Sequence, residues 1–237
     1  MGEVIRKGSA AGDVLADASK TLLNARAKGG VWAVAAEEKL GVVERLSALV
    51  LSRLREAERA YQPLRAALDA GDDGADDLLG KVSDDIWNEI GRPAADPVLS
   101  IIFPGGVSYY TEGRDEEQPD RMELLAEFLD AGLHPRLDRA AGEAHAQTVR
   151  VAAESYRGRV EAIRRPAARV KLLTAMNVAI ARYAQTELAN LKRRYKSDGF
   201  SEADIHSVIP DRPRATATAA PAAPPVTPPE PAKPASP

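Results

Sequence analysis

Two long apolar stripes constrain this chain more than any other feature. Leu40, Val43, Leu46, Val50, Leu54, Ala57, Tyr61, Leu64 and Leu68 recur every three or four residues. Val170, Leu173, Met176, Ile180, Ala184, Leu188, Leu191 and Tyr195 repeat the pattern near the other end. A helix with one such stripe needs a partner surface along its whole length. The expectation is therefore an all-α fold: an up-and-down bundle of four or five helices with long antiparallel members. An extended antiparallel coiled coil, or a dimer that completes the core, satisfies the same pattern.

Helix punctuation divides the 237 residues further. Residues 1–12 read as a flexible N-terminus and 13–198 as the helical domain. Helices are expected over 13–28, 32–68 and 75–90, then from about 120 and over 167–196. Gly29-Gly30, the acidic run "DAGDDG" (69–74), Gly91-Arg92-Pro93, Gly132 with Pro135, and Pro166 serve as breaks, and Pro63 as a kink. Residues 199–210 read as a short connection. Nine of residues 211–237 are Pro and no apolar face recurs there, so that stretch reads as a disordered, Pro/Ala-rich tail acting as a spacer.

Residues 94–119 interrupt the helical period. Within them "SIIFPGGVSYYTEG" (100–113) flanks Pro104-Gly105-Gly106 with apolar runs, the signature of a tight turn in a small hairpin or an ordered loop. Two readings stand. The segment is a plug over one end of the bundle, or Phe103, Tyr109 and Tyr110 bind a partner, since aromatic residues dominate interface hot spots.

Much chemistry has no residues to carry it. The chain holds no Cys, which removes disulfides and thiolate chemistry. Its three His are His134, His145 and His206, with Ala131, Gly142 and Ala203 three residues before them, so a di-iron carboxylate bundle finds no Glu-x-x-His. Each His reads as an ordinary surface or helix-end residue. The run from Asp69 fails the calcium-loop pattern at Gly71 and Gly80, and reads as a polar loop that caps the next helix. Neither glycine pair fits a phosphate-binding fingerprint, and no Ser sits in a nucleophile elbow. No catalytic, metal or cofactor-binding residue is assigned, and no cofactor is expected.

Charge is uneven although the net is −3. Residues 69–130 carry 17 acidic and four basic side chains, and 150–196 carry 12 basic and three acidic. The two fields pair inside the chain or face partners; either use sets orientation more than stability. Arg164, Arg165, Lys192, Arg193, Arg194 and Lys196 form a candidate basic patch for nucleic acid.

No uncharged stretch is long enough to span a bilayer, the start lacks a secretory apolar region, and Arg6 spoils a myristoylation motif. A cytoplasmic protein is expected, from a bacterium of high GC content by composition. The favoured function is a non-enzymatic structural or adaptor protein of a multi-protein assembly, joining other subunits or itself. The alternatives are a nucleic-acid-associated protein using the basic C-terminal helices, and a helical bundle that binds or transforms a small molecule.

Overall fold

The computed structural model describes residues 10–210, and its regular elements are all helices. They are α1 (Ala11–Lys28), α2 (Gly30–Glu89), α3 (Pro97–Ile102), α4 (Ser108–Thr111), α5 (Gln118–Asp130), α6 (Arg139–Ser197) and α7 (Glu202–Val208). The fold is all-α, with no strand among the described residues. The expected flexible start and Pro-rich tail fall mostly or wholly outside the described residues.

The expected breaks inside the long stripes are corrected. α2 runs unbroken for 60 residues through the whole "DAGDDG" run, with Pro63 inside it, and α6 runs for 59 through Pro166. An interior Pro costs a helix about 3 kcal/mol. Each fully buried aliphatic side chain returns roughly 1.5–3 kcal/mol. Past Pro63, α2 buries Leu68, Ala75, Leu79, Val82 and Ile86. Burial therefore outweighs the local preference on both sides of the Pro.

The acidic run caps nothing; it is a contact surface. Asp72 accepts a hydrogen bond from the Tyr156 hydroxyl (3.1 Å) and Asp76 one from Gln118 Nε2 (2.9 Å). Arg159 crosses Gly71 to donate to the Ala67 carbonyl (3.0 Å). A Cβ at Gly71 would lie 2.4 Å from Arg159 Nη1, so the glycine leaves room for the guanidinium.

The described residues pack as two units, 10–41 with 184–210, and 42–183. In the first, α1 buries Val14, Leu15, Ala18, Leu22 and Ala25 on one face. Residues 199–210, expected as a plain connection, contain α7, which Ser201 caps by accepting from the Asp204 N–H. Asn24 Nδ2 donates to the Val208 carbonyl at 3.0 Å and ties α1 to α7. Trp32 stacks between Tyr195 and Phe200, at ring separations of 4.4 and 4.0 Å, and the Tyr195 hydroxyl donates to the Trp32 carbonyl.

In the second unit α2 and α6 run antiparallel. Leu68 packs with Tyr156, Val160 and Ile163, and Tyr61, Leu64 and Ala167 extend that cluster. A larger core joins Leu79, Val82 and Ile86 of α2, Met122, Leu125 and Leu129 of α5, and Ala146, Val149 and Ala153 of α6. Gly142 lets the start of α6 approach the end of α5, where an added Cβ would lie 3.0 Å from the Leu129 carbonyl oxygen. The opposite charge fields meet within this unit. Arg150 pairs with Asp130, and Arg157 with Glu123 (2.7 Å) and Asp120 (2.9 Å).

Because Pro63 opposes the helix that contains it, Pro63→Ala is expected to raise the unfolding free energy, by up to about 3 kcal/mol. Leu79→Ala is expected to lower it by roughly 2–5 kcal/mol. Urea titrations followed by circular dichroism measure both.

Candidate functional site

The interrupted segment 94–119 folds as two short helices, which corrects the hairpin expectation. Asp96 starts α3: its Oδ1 accepts from the Val98 and Leu99 N–H groups at 2.9 and 3.0 Å, and Pro97 presets the first turn. Gly105 and Gly106, with φ of 81° and 92°, then reverse the chain into α4.

The three aromatic candidates separate here. Phe103 and Tyr110 are buried in the core of the second unit, edge-to-face at 5.8 Å. The Tyr110 hydroxyl donates to the Ile102 carbonyl at 2.5 Å, and burial pushes its pKa up to about 12. Neither ring is available to a partner. Tyr109 is exposed beside the Arg121 guanidinium, and Ile101 on α3 is exposed as well.

Asp96 also latches the segment to the turn that precedes α6. Its Oδ2 pairs with Arg136 and lies 3.2 Å from His134 Nε2, off the line of a hydrogen bond. His134 is buried in the turn between α5 and α6, whereas each His reads from the sequence as a surface or helix-end residue. Its Nδ1 accepts from the Arg136 N–H at 3.2 Å, which places the proton of the neutral ring on Nε2. The Leu99 N–H bond, with Arg136 and His134 behind it, holds the Asp96 carboxyl well below the usual carboxylate range against the opposing effect of burial. The constellation closes no cavity and reads as a structural clamp.

The six basic candidates do not share one setting. Arg164 and Arg165 belong to the second unit and the other four to the first. Lys192 and Lys196 both pair with Glu202, Arg194 pairs with Glu38 and Asp198, and Arg193 donates to Asn190. Arg164 reaches Glu161 at 3.5 Å. Arg165 stands exposed on the rim of a cleft shared with Arg169.

That cleft leads to a surface the sequence reading missed. It has a volume of about 380 Å³ and is lined by Glu56, Ala57 and Ala60 of α2 and by Arg165, Pro166 and Arg169 of α6. Going back along α2 from Ala60, steps of three and four residues reach Glu56, Arg53, Leu49, Leu46 and Val42 on the same face. Going forward along α6 from Arg165 and Arg169, the same steps reach Leu172, Met176 and Tyr183. Because one cleft joins both stripes, they lie on the same side of the helix pair. The exposures are high: Leu49 55%, Leu172 62%, Met176 44% and Tyr183 48%. Val42 and Leu46 are exposed to a similar degree, so no described element covers this face.

Leu46 and Met176 were expected within the buried stripes. The structure keeps Val43, Val50, Ala57 and Ile180 of those stripes buried and turns these two outward. The signal was a second apolar row, Val42-Leu46-Leu49 and Leu172-Met176-Tyr183, adjacent to the first. Such a doubled row widens a stripe beyond what one partner helix covers.

Among the described residues no group of His, Asp and Glu could hold a metal ion, and no helix is long and apolar enough to cross a membrane. No protein-family model, no curated protein and no solved structure matches the chain.

Since the Asp96 carboxyl titrates below its ordinary value of 3.8, its contribution is present above that value and is lost as pH falls through it toward the lower folded value. Asp96→Asn is therefore expected to lower the thermal midpoint at pH 7 and to narrow the difference between pH 7 and pH 3. Thermal melts of both proteins at the two pH values check this.

Proposed function

We propose that this chain is a non-enzymatic structural or adaptor protein of a larger assembly, and that it works through the exposed face formed by residues 42–60 and 165–183. The observation that carries the reading is the apolar row on that face, six large side chains on two antiparallel helices with no described element over them. Exposed apolar patches of this kind mark interaction sites on soluble proteins. A two-helix face offers the groove into which a partner helix lays its own stripe.

The charge distribution supports the same reading. The acidic residues Asp120, Glu123 and Asp130 are matched by Arg157 and Arg150 within the second unit, and Glu202 faces Lys192 and Lys196 within the first. These charges serve the packing of the chain itself. A nucleic-acid interface works with Lys and Arg side chains that neutralise phosphates, and five of the six basic candidates already have a carboxylate or amide partner.

A photo-crosslinking amino acid placed at Leu172 is expected to capture protein in cells of the source organism. The same group at Arg59, an exposed residue off the apolar row, is expected to capture little. Equal yields at the two positions, or none at Leu172, overturn the reading.

A further inference from the structure

The occupant of the exposed face follows from the way its features are spaced. This inference rests on the interaction reading above and adds the partner. We propose that the face is closed by a second copy of this chain, antiparallel across a two-fold axis perpendicular to the helices near residue 174, with Tyr183 of each copy seated in the cleft between Ala57, Ala60 and Pro166 of the other.

Covering six large apolar side chains takes a segment with an apolar stripe of its own. Residues 1–9 hold only Met1, Val4 and Ile5, and residues 211–237 only Val226, as large apolar side chains. Neither stretch carries such a stripe, whereas a second copy brings one of its own.

A two-fold interface uses the same patch twice, so each projection must find a recess on the same surface, equally far from the axis on the other side. Tyr183 is the largest exposed side chain at one end of the row, and the cleft at Pro166 is the recess at the other end. They are separated by about 25 Å at 1.5 Å per residue. The midpoint falls at residue 174 or 175, with Leu172 and Met176 on either side of it. There the two copies of α6 bring Leu172 and Met176 together, and the two copies of α2 bring Leu49 to the same level.

Arg165 and Arg169 rim the cleft, and Arg53 lies on the same row. A parallel arrangement sets the two arginine rims against each other. The antiparallel one holds them about 25 Å apart, well beyond the screening length of ~8 Å at physiological salt, and brings each rim to the partner's Tyr183 ring, where a guanidinium is favoured.

The six side chains expose roughly 600 Å² per copy, at the upper end for a patch on a monomer. With Arg53, Glu56, Arg165 and Arg169 as rim, the face approaches the ~800 Å² per partner of a stable association.

Sedimentation equilibrium of the full chain tests this. The expected result is a species of twice 25.3 kDa at micromolar concentration, at both low and high salt. Leu172→Glu with Met176→Glu is expected to return the 25.3 kDa species with an unchanged far-ultraviolet spectrum. Tyr183→Ala is expected to weaken dimerisation about 30-fold or more, as loss of a hot-spot aromatic does.

The absence of Cys permits a second test that survives misfolding of the charged variant. Met176→Cys is expected to oxidise to a covalent dimer, because its copies meet near the axis. Ala168→Cys is not, because its copies lie about 20 Å apart along the helices. Cross-linking at both positions indicates a parallel pair, and at neither a different interface; each overturns the proposal. A chain that stays monomeric while Leu172 captures a different protein also overturns it, and leaves the interaction reading standing. A monomer with no capture at Leu172 overturns both.

Discussion

The antiparallel seam between α2 and α6 within residues 42–183 is the constraint on which the rest of that unit depends. Leu68 against Tyr156, Val160 and Ile163 fixes the register of the two helices. From that register the polar matches follow. Tyr156 reaches Asp72, Arg159 reaches the Ala67 carbonyl across Gly71, and α5 is held by Arg157 and Arg150 on its acidic face. Any one of these surface pairs is worth at most about 1 kcal/mol. The buried aliphatic residues of the same seam contribute more each, so the apolar contacts set the pairing and the charges select among pairings.

Two features serve that seam without belonging to it. The segment between α2 and α5 folds its own apolar residues inward, with Phe103 and Tyr110 in the core, and is pinned by Asp96 to Arg136 and beside His134. It closes the three-helix part of the unit, where α5 covers the α2–α6 pair. Farther along the same pair, at residues 42–60 and 165–183, α5 gives no cover and the apolar row stands open. The difference between a covered and an uncovered stretch of one helix pair is what directs the functional reading to that face.

The long stripes were legible in the sequence because a helix repeats its environment every 3.6 residues, and an apolar side chain at that period has few other uses. Helix interruptions were legible where Gly29, Gly91 and Gly132 follow a helix, and not inside the long stripes. Pro63, Pro166 and the glycines of "DAGDDG" are strong local signals, but the burial of Leu68, Leu79 and Val82 on one side of them overrides a local cost of a few kcal/mol. The aromatic run 103–110 was recognisable as special, and its composition could not say which ring points inward. That is set by the packing of Phe103 and Tyr110 into the core that α2, α5 and α6 share.

By itself the sequence determined the all-α class, the two long helical stripes and the absence of cysteine chemistry, since composition and period are properties of the chain alone. Only the tertiary structure decided which residues of each stripe meet. A stripe four residues wide can be rotated about its axis at little local cost. The partner helix chooses the rotation that packs Val43, Val50 and Ile180, and leaves Leu46, Leu49, Leu172 and Met176 facing out.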